Sequence, residues 1–491
     1  MSTGLPRCVA VIGAGAAGAL TAVRLLQHAD SSGLPLEVRL IDPAASNGHG
    51  RAYGTEDPGH LLNVPAGRMS AFAEDPDHFV RWLASNAPGP ADRDAYVPRM
   101  LYGRYLSELL DGAAGHGRTA RLTRLRDRVT GVAHEASRLS LGLASGADSR
   151  VDAAVLALGS FAPGCAWLPE ALLTSPHFVR DPWAPGALDV VPPDADVLLV
   201  GTGLTMADVA LTLQREQRVV HAVSRHGLLP QVHATGPLPA SPAPQLCGRD
   251  GLPPLRRAVL RHLAASRRLH GDWRSGLDSL RPLTAALWQQ LPLPDRARFL
   301  EEDLRVWEVH RHRLPPRSAS RLDEARRAGR LRIGAAEVTG ASATGTGVRV
   351  RLSDGRVLDV GAVLNCTGPR TDLATVDDPL IRDLLRSGLA RTGPLGLGFD
   401  ATANGRLRPA DGHGHPQPAL WTLGALRRGQ LLETTAIPET RAQADDVARS
   451  VVELLSSGAR GHVPAQGVMF PHRFQPTREL VHQALEQHRV G

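Results

Sequence analysis

The sequence predicts an α/β fold of two three-layer, Rossmann-like domains, the second inserted into the first, with an additional helical insert. Three observations lead to this prediction. The chain has 491 residues, enough for two or three hydrophobic cores. A strand, a glycine-rich turn and a helix follow one another twice. Two later strands each end on a small or hydroxyl residue and a glycine.

The first strand-turn-helix unit occupies residues 8–42 and has the dinucleotide-binding fingerprint in its expected context. Gly13 makes the tight turn, Gly15 lets a pyrophosphate approach the backbone, and Gly18 lets the helix pack closely on the strand. The N-terminus of the helix then holds the phosphates. The second strand ends on Asp42, which we expect to accept hydrogen bonds from the ribose of an adenosine.

The same pattern recurs at residues 196–226. Gly201 and Gly203 form the turn and Thr205 lies at the start of the helix, so we expect these residues to face a second dinucleotide. Met206 stands where the third glycine is expected. The helix and strand of this unit are therefore predicted to pack less closely than those of the first.

The two units end on different residues, which predicts different nucleotides. The first ends on Asp42, whereas the second ends on Ser224, Arg225 and His226. A carboxylate repels a 2′-phosphate, and an arginine binds one through two parallel hydrogen bonds. We therefore predict FAD in the first site and NADPH, held by Arg225, in the second. The alternative for Arg225 is a solvated surface arginine.

The strands at 153–159 and 361–368 are predicted to lead the chain between the two domains. Each follows a predicted hairpin, and residues 353–356 form the turn of the second hairpin. Gly159 ends the first of these strands, and we expect it to contact the FAD. The predicted boundaries are 1–165 for the first part of the FAD domain, 190–345 for the NAD(P)H domain and 346–491 for the second part of the FAD domain.

Residues 252–330 are predicted to form the helical insert and to cap the active site. Large aromatic residues beside arginines also resemble a platform for single-stranded nucleic acid, but over this length they are more typical of a helical core. His310 and His312 could suggest a metal site, yet no carboxylate or cysteine completes a ligand set and their side chains diverge on a helix. We expect no nucleic acid partner and no metal.

Near the carboxyl end, residues 423–439 include Gly424 and Thr435 and precede a predicted helix that starts near residue 440. The positive end of that helix would attract an anion. The negative edge of a reduced flavin is one candidate, which makes both residues expected FAD contacts. An ordinary capped helix is the alternative.

The composition excludes several classes of protein. The chain has no lysine, so all 56 basic residues are arginines, and Schiff-base enzymes and ordinary Walker A loops are excluded. The net charge is +7, but the arginines are scattered among 49 acidic residues and form no basic tail. The 4 cysteines are far apart, which argues against a structural zinc or a disulfide framework. We expect a cytoplasmic protein without a membrane anchor.

Segments spread over nearly the whole chain resemble the FAD/NAD(P)-binding family that contains an FAD-dependent urate hydroxylase. They are GRAYGT (50–55), HLLNVPAGRMSAF (60–72), DHFVRWL (77–83), GTGLT (201–205), SRHGLLP (224–230), DWR (272–274), WEVHRHR (307–313), NCTG (365–368) and LRRG (426–429). The layout is more distantly similar to flavin-containing, Baeyer–Villiger and N-hydroxylating monooxygenases. The resemblance implies that Asn63 lies near the isoalloxazine. Leu432 stands where the family usually has a tryptophan before the glutamate, here Glu433.

The resemblance implies an NADPH-consuming FAD monooxygenase that uses O2 to oxygenate a small polar molecule, through a flavin C4a-(hydro)peroxide. Arg68 and Arg311 are candidates for holding an anionic substrate or the NADPH phosphates, and a structural ion pair is the favoured alternative for each. Two alternatives remain open: a flavin reductase or dehydrogenase that passes electrons to another acceptor, and a catalytically silent nucleotide-binding scaffold. The sequence determines neither the substrate nor the oligomeric state.

Overall fold

The computed structural model describes residues 6–44, 47–87, 92–135, 138–411 and 417–458. The last part of the predicted second FAD segment, residues 459–491, lies outside these ranges. Within them, no helix is long and apolar enough to cross a membrane.

The strands are numbered here in chain order. They are β1 (Arg7–Ile12), β2 (Leu36–Ile41), β3 (Ala120–Leu125), β4 (Val129–Glu135), β5 (Arg138–Leu143), β6 (Asp148–Val151), β7 (Ala153–Leu156), β8 (Phe178–Val179), β9 (Val197–Val200), β10 (Val220–Ser224), β11 (Leu331–Ala335), β12 (Val338–Ala343), β13 (Val348–Leu352), β14 (Val357–Val360), β15 (Ala362–Asn365) and β16 (Leu420–Thr422).

The α-helices are numbered in the same way. They are α1 (Ala16–Ser32), α2 (Gly50–Tyr53), α3 (His78–Asn86), α4 (Arg99–His116), α5 (Glu170–Leu173), α6 (Leu204–Thr212), α7 (Leu252–His270), α8 (Arg274–Asp278), α9 (Thr284–Gln290), α10 (Leu293–Arg298), α11 (Leu304–Arg311), α12 (Pro316–Arg327), α13 (Pro379–Arg386), α14 (Arg428–Leu431) and α15 (Ile437–Gly458). A π-helical turn, Phe299–Asp303, joins α10 to α11.

The first domain is built on a parallel sheet of strand order β16-β7-β1-β2-β3. Helices α1, α4 and α15 cover one face, and the antiparallel sheet β4-β5-β6 with α13 covers the other. Val9 and Val11 pack into the first of these cores, whereas Ala10 and Ile12 pack into the second. Because both faces are buried, β1 is apolar at almost every position.

The second domain repeats this arrangement with a parallel sheet of order β11-β10-β9-β15-β8. Helices α6 and α12 pack on one face, and the antiparallel sheet β12-β13-β14 packs on the other. The fold-class prediction is therefore confirmed: two three-layer α/β domains lie in one chain. The predicted hairpins are also present, as β5-β6 and as β13-β14 with its turn at 353–356.

The limits of the second domain differ from the predicted ones. Strand β15 lies between β9 and β8, so this domain includes Phe178–Val179 and continues to Asn365 instead of ending at 345. Helix α12 packs on α6 and shares its core, because the apolar residues of α12 face the sheet. The separate insert therefore comprises residues 252–311, which we call the cap, and not 252–330. It has a small core of its own that includes Leu255 and Trp288.

Candidate active site between two nucleotide cradles

The first glycine turn is fixed by the packing of β1 against α1. Gly13 has a φ of +102°, and a Cβ there would lie 2.5 Å from the carbonyl oxygen of Ala157. A Cβ on Gly18 would lie 1.8 Å from the carbonyl oxygen of Gly13. A Cβ on Gly15 would lie 3.5 Å from the Cα of Gly50, so residues near Gly50 pass directly beside the turn. Only glycine fits at the first and third positions of this motif.

The N-terminus of α1 is open to an anion. Its first turn contains no acidic residue, and its N-cap, Gly15, provides no side chain. Asp42 lies beside the turn, where its carboxylate accepts hydrogen bonds of 2.8 Å from the backbone amides of Ala14 and Ala44. A bare helix N-terminus next to a carboxylate fits the pyrophosphate and the ribose of a dinucleotide.

The second glycine turn has the same construction. Gly201 has a φ of +110°, and a Cβ there would lie 2.2 Å from the carbonyl oxygen of Cys366. Nothing lies within 4 Å of a Cβ on Gly203, the N-cap of α6, so the space in front of this helix is open. Met206 is fully buried in the core of the second domain, and Thr205 is half-buried. We call each glycine turn, together with the helix N-terminus that follows it, a nucleotide cradle. This second cradle also fits a dinucleotide.

An arginine side chain that the sequence did not indicate, that of Arg305, reaches this second cradle. Arg225 is exposed after β10, which is compatible both with a phosphate ligand and with a solvated surface arginine. Arg305, on α11 of the cap, donates hydrogen bonds to Thr202 Oγ1 at 3.2 Å and to the carbonyl oxygen of Leu228 at 2.7 Å. Some 100 residues separate Arg305 from the glycine turn, and no local motif marks it.

A cavity of about 160 Å³ lies where the two domains and the cap meet. Segments 63–68 and 425–436 of the first domain line it, together with Trp307 and Arg311 of the cap. Asn63, Arg68, Arg311 and Thr435, predicted from separate motifs, are therefore brought together. The structure thus places residues of the cap in the wall of a pocket where the two domains meet.

Gly159 and Gly424 directly precede two residues of the cavity wall, Ser160 and Ala425. Both glycines have a positive φ, 68° and 69°, and a Cβ on either would meet nothing within 4 Å. They therefore leave open space beside the cavity. Helix α15 begins there too, at Ile437 instead of near residue 440.

Each acidic residue that lines the cavity is paired with an arginine. The pairs are Arg281 with Glu439 at 2.6 Å, Arg311 with Glu433 at 3.0 Å, Arg428 with Glu308 at 3.1 Å, and Arg313 with Asp278. Arg311 and Glu433 are each about 10% exposed. The Arg68 side chain is exposed and has no hydrogen-bond or ion-pair partner among the described residues. Arg68 is therefore available to an anion, whereas Arg311 is engaged in an ion pair.

Two histidines beside the cavity are neutral at physiological pH. Burial, together with the nearby Arg313, lowers the pKa of His233 to about 4. Burial, together with Arg311, likewise lowers the pKa of His312 to about 4. His233 Nε2 lies 3.0 Å from the carbonyl oxygen of Asn63, which joins the second domain to the first at the cavity. His310, by contrast, bonds to its own helix at the carbonyl of Val306.

Two tryptophan indoles join the cap to the first domain. Trp288 Nε1 donates to the carbonyl oxygen of Gly429 at 2.8 Å, and Trp307 Nε1 donates to Glu433 Oε1 at 2.9 Å. Leu432, the position that departs from the family pattern, has a φ of +61° and a ψ of −64°. The amide of Glu433 donates to the carbonyl of Leu431 at 2.7 Å across this residue. The resulting γ-turn, a strained conformation, presents Glu433 to the cap.

Polar contacts along α6 also join the two domains. His60 Nε2, from the first domain, lies 2.8 Å from Thr212 Oγ1 at the end of α6. Arg99 lies 2.8 Å from Asp208, also on α6, and both side chains are largely buried. The helix whose N-terminus forms the second cradle is thus tied to the first domain at its other end.

A family model described as FAD-NAD(P)-binding matches residues 10–161. This range contains the first cradle, so the match confirms the predicted FAD/NAD(P)-binding domain at the amino terminus. No curated protein sequence matches the chain.

Solved structures with a similar fold include ornithine and lysine hydroxylases. An ornithine hydroxylase from Pseudomonas aeruginosa has a TM-score of 0.59 at 16% identity, covering 92% of this chain and 100% of that one. The ornithine N-hydroxylase of Kutzneria sp. 744, solved with reduced FAD, NADP+ and L-ornithine, has a TM-score of 0.59 at 14% identity over 92% and 99%. L-lysine 6-monooxygenase from Pseudomonas syringae has a TM-score of 0.58 at 17% identity over 91% and 99%. At these identities, the similarity shows a shared fold.

Proposed function

We propose that the protein is an FAD-dependent monooxygenase that consumes NADPH and oxygenates a small polar molecule. The observation that carries this proposal is the cavity between the two cradles. It lies beside the segments that follow strands of both parallel sheets, and residues of the cap form part of its wall. The ends of parallel strands and the junctions between domains are the places where dinucleotides and their substrates usually bind.

The residues of the first domain fit FAD. The turn at Gly13 and the bare N-terminus of α1 would hold the pyrophosphate, and Asp42 would hold the ribose. Thr435 and the start of α15 would face the flavin ring, whose negative charge in the reduced state suits a helix N-terminus. When bound, FAD would supply the redox chemistry, accepting a hydride from NADPH and activating O2.

The chain itself would bind the substrate and exclude water. The buried pairing of Arg311 with Glu433 and the indole of Trp307 close the cavity on the cap side. His312 is neutral and its side chain has no hydrogen-bond partner among the described residues, so a ring nitrogen can accept a hydrogen bond from a substrate N–H or O–H. Arg68 would hold a negative charge on the substrate.

These charges favour a urate-like substrate over an amino acid with a free ammonium group. Ornithine and lysine carry such a group, and its binding calls for an available carboxylate. Every carboxylate that lines the described cavity is already paired with an arginine. A planar anion such as urate can instead use Arg68 and the neutral His312.

The proposal is tested by incubating the purified protein with NADPH, urate and ¹⁸O2. Incorporation of the label into product, with urate stimulating NADPH consumption more than ornithine does, is the expected result. Turnover without oxygen, using dyes alone, would indicate a reductase. Bound dinucleotide without any turnover would indicate a scaffold. Hydrogen peroxide is measured in parallel, because NADPH consumption that yields only peroxide is uncoupled from oxygenation.

A further inference from the structure

The two cradles can be compared position by position through their backbone hydrogen bonds. In each, the amide of the first glycine donates to a carbonyl near the end of the neighbouring strand, from Gly13 to Ile41 at 2.8 Å and from Gly201 to Val223 at 2.7 Å. The next residue along that strand is Asp42 in the first unit and Ser224 in the second. Asp42 and Ser224 are therefore equivalent, and both stand where a ribose 2′ position is recognised.

The charge at this position is reversed between the two cradles. In the first, the Asp42 carboxylate bonds to the amide of the turn. In the second, Ser224 Oγ lies 2.8 Å from Thr202 Oγ1, and the guanidinium of Arg305 donates to that same threonine oxygen at 3.2 Å. Arg305 also bonds to the carbonyl of Leu228, in the loop that carries Arg225. A cation thus stands where the first cradle has an anion.

Arg305 has no carboxylate partner within the described chain. Its recorded hydrogen bonds go to two neutral oxygens, those of Thr202 and Leu228. Glu308 is the nearby acid, and its carboxylate is paired with Arg428 at 3.1 Å. Burial lowers the pKa of Arg305 from its ordinary value, yet at physiological pH the group stays charged. A half-buried guanidinium bonded only to neutral oxygens would gain from an anionic ligand.

The position of Arg305 is set by the cap and does not require a ligand. The π-helical turn Phe299–Asp303 directly precedes α11, which carries Arg305 in its first turn. In the same helix, Trp307 and Arg311 are both bonded to Glu433 of the first domain. Because the helix is anchored at these residues, little ordering cost remains for the guanidinium when a ligand arrives.

We propose that Arg305 binds the 2′-phosphate of NADPH, together with Arg225, and makes the second cradle selective for NADPH over NADH. The inference rests on the proposed function in taking NADPH as the reductant. The sequence motif assigned this site only to the glycine turn and to the end of β10. The inference adds a residue of the cap.

Calorimetric titration of the purified flavoprotein with adenosine 2′,5′-bisphosphate and with 5′-AMP tests the 2′-phosphate contact without any turnover. The variants are Arg305→Met, Arg305→Lys and Arg225→Ala. Arg298→Met is the matched control, since Arg298 is an exposed arginine of the cap, in α10. Arg305→Met should weaken binding of the bisphosphate by about 10- to 100-fold and leave 5′-AMP binding within about 2-fold. Arg305→Lys should lie between Met and the native protein.

Two results would overturn this inference: equal weakening of both ligands by Arg305→Met, or no weakening of either. Failure of the native protein to prefer the bisphosphate would overturn it as well, even if NADH reduced the flavin. The proposed function fails separately, if the bisphosphate binds in an Arg305-dependent manner but NADPH never reduces the flavin. The flavin content and the circular dichroism spectrum of each variant show whether it is folded. If Arg305→Met does not fold, Arg305→Lys provides the decisive comparison.

Discussion

Two glycines within helices of the first domain should respond in opposite directions to the same substitution. Gly18 lies in α1, and a Cβ there would meet the carbonyl oxygen of Gly13 at 1.8 Å. Gly112 lies in α4, and a Cβ there would meet nothing within 4 Å. Backbone oxygen cannot rotate away as a side chain can. Gly18→Ala must therefore push α1 away from the turn, whereas Gly112→Ala only removes the flexibility of glycine.

The expected magnitudes follow from these two environments. Gly112→Ala should stabilise the domain by about 0.5–1 kcal/mol, which raises Tm by about 1–4 °C for a domain of this size. Gly18→Ala should cost about 3 kcal/mol or more, because the clash exceeds an ordinary overpacked contact. Its Tm should fall by about 6 °C or more. The displaced first turn should also lose FAD, since its amides no longer converge on the pyrophosphate.

Thermal unfolding followed by circular dichroism, together with the flavin content of the purified variants, measures both effects. Gly112→Ala serves as the control for the chemical change itself. Full flavin content and an unchanged Tm in Gly18→Ala would refute the reasoning, because they would show that the close contact of α1 with the turn is not required.

Three further perturbations test the junction between the domains and the cap. Glu433→Ala leaves Arg311 buried without a partner and should cost about 3–5 kcal/mol by calorimetry, with part recovered on adding Arg311→Met. Thr212→Val removes the bond to His60 and should cost about 1–3 kcal/mol in the same assay. The pKa values of His233 and His312 lie near 4 in the folded protein, below the ordinary 6.5. As the pH falls, the unfolded chain therefore binds protons first, and the free energy of unfolding should decrease between pH 6.5 and 4. A Tm that stays constant over that range would contradict this expectation.

The local part of the site could be predicted from the sequence. Gly13, Gly18 and Gly201 are required by contacts between a strand, its turn and the next helix, all within a few residues or on a neighbouring strand. Such contacts leave a short motif. The helix after residue 436 was also predicted, although its first turn begins three residues earlier than expected.

The remaining part depends on contacts between distant segments, which leave no motif. Arg311 was a candidate substrate ligand, but its partner Glu433 lies 122 residues away and only the fold brings the two together. Arg305 reaches Thr202 across 103 residues. The domain limit was displaced for the same reason: β15 follows the hairpin β13-β14 as a first-domain strand would, yet it pairs with β9 and β8.

Anaerobic mixing of the purified protein with NADPH, followed by stopped-flow absorbance of the bound flavin, tests most directly whether two cradles in one chain pass electrons between two dinucleotides. Bleaching of the flavin band by NADPH, and weaker bleaching by NADH, is the expected result. A protein purified without flavin, or a bound flavin that NADPH leaves oxidised, would contradict it.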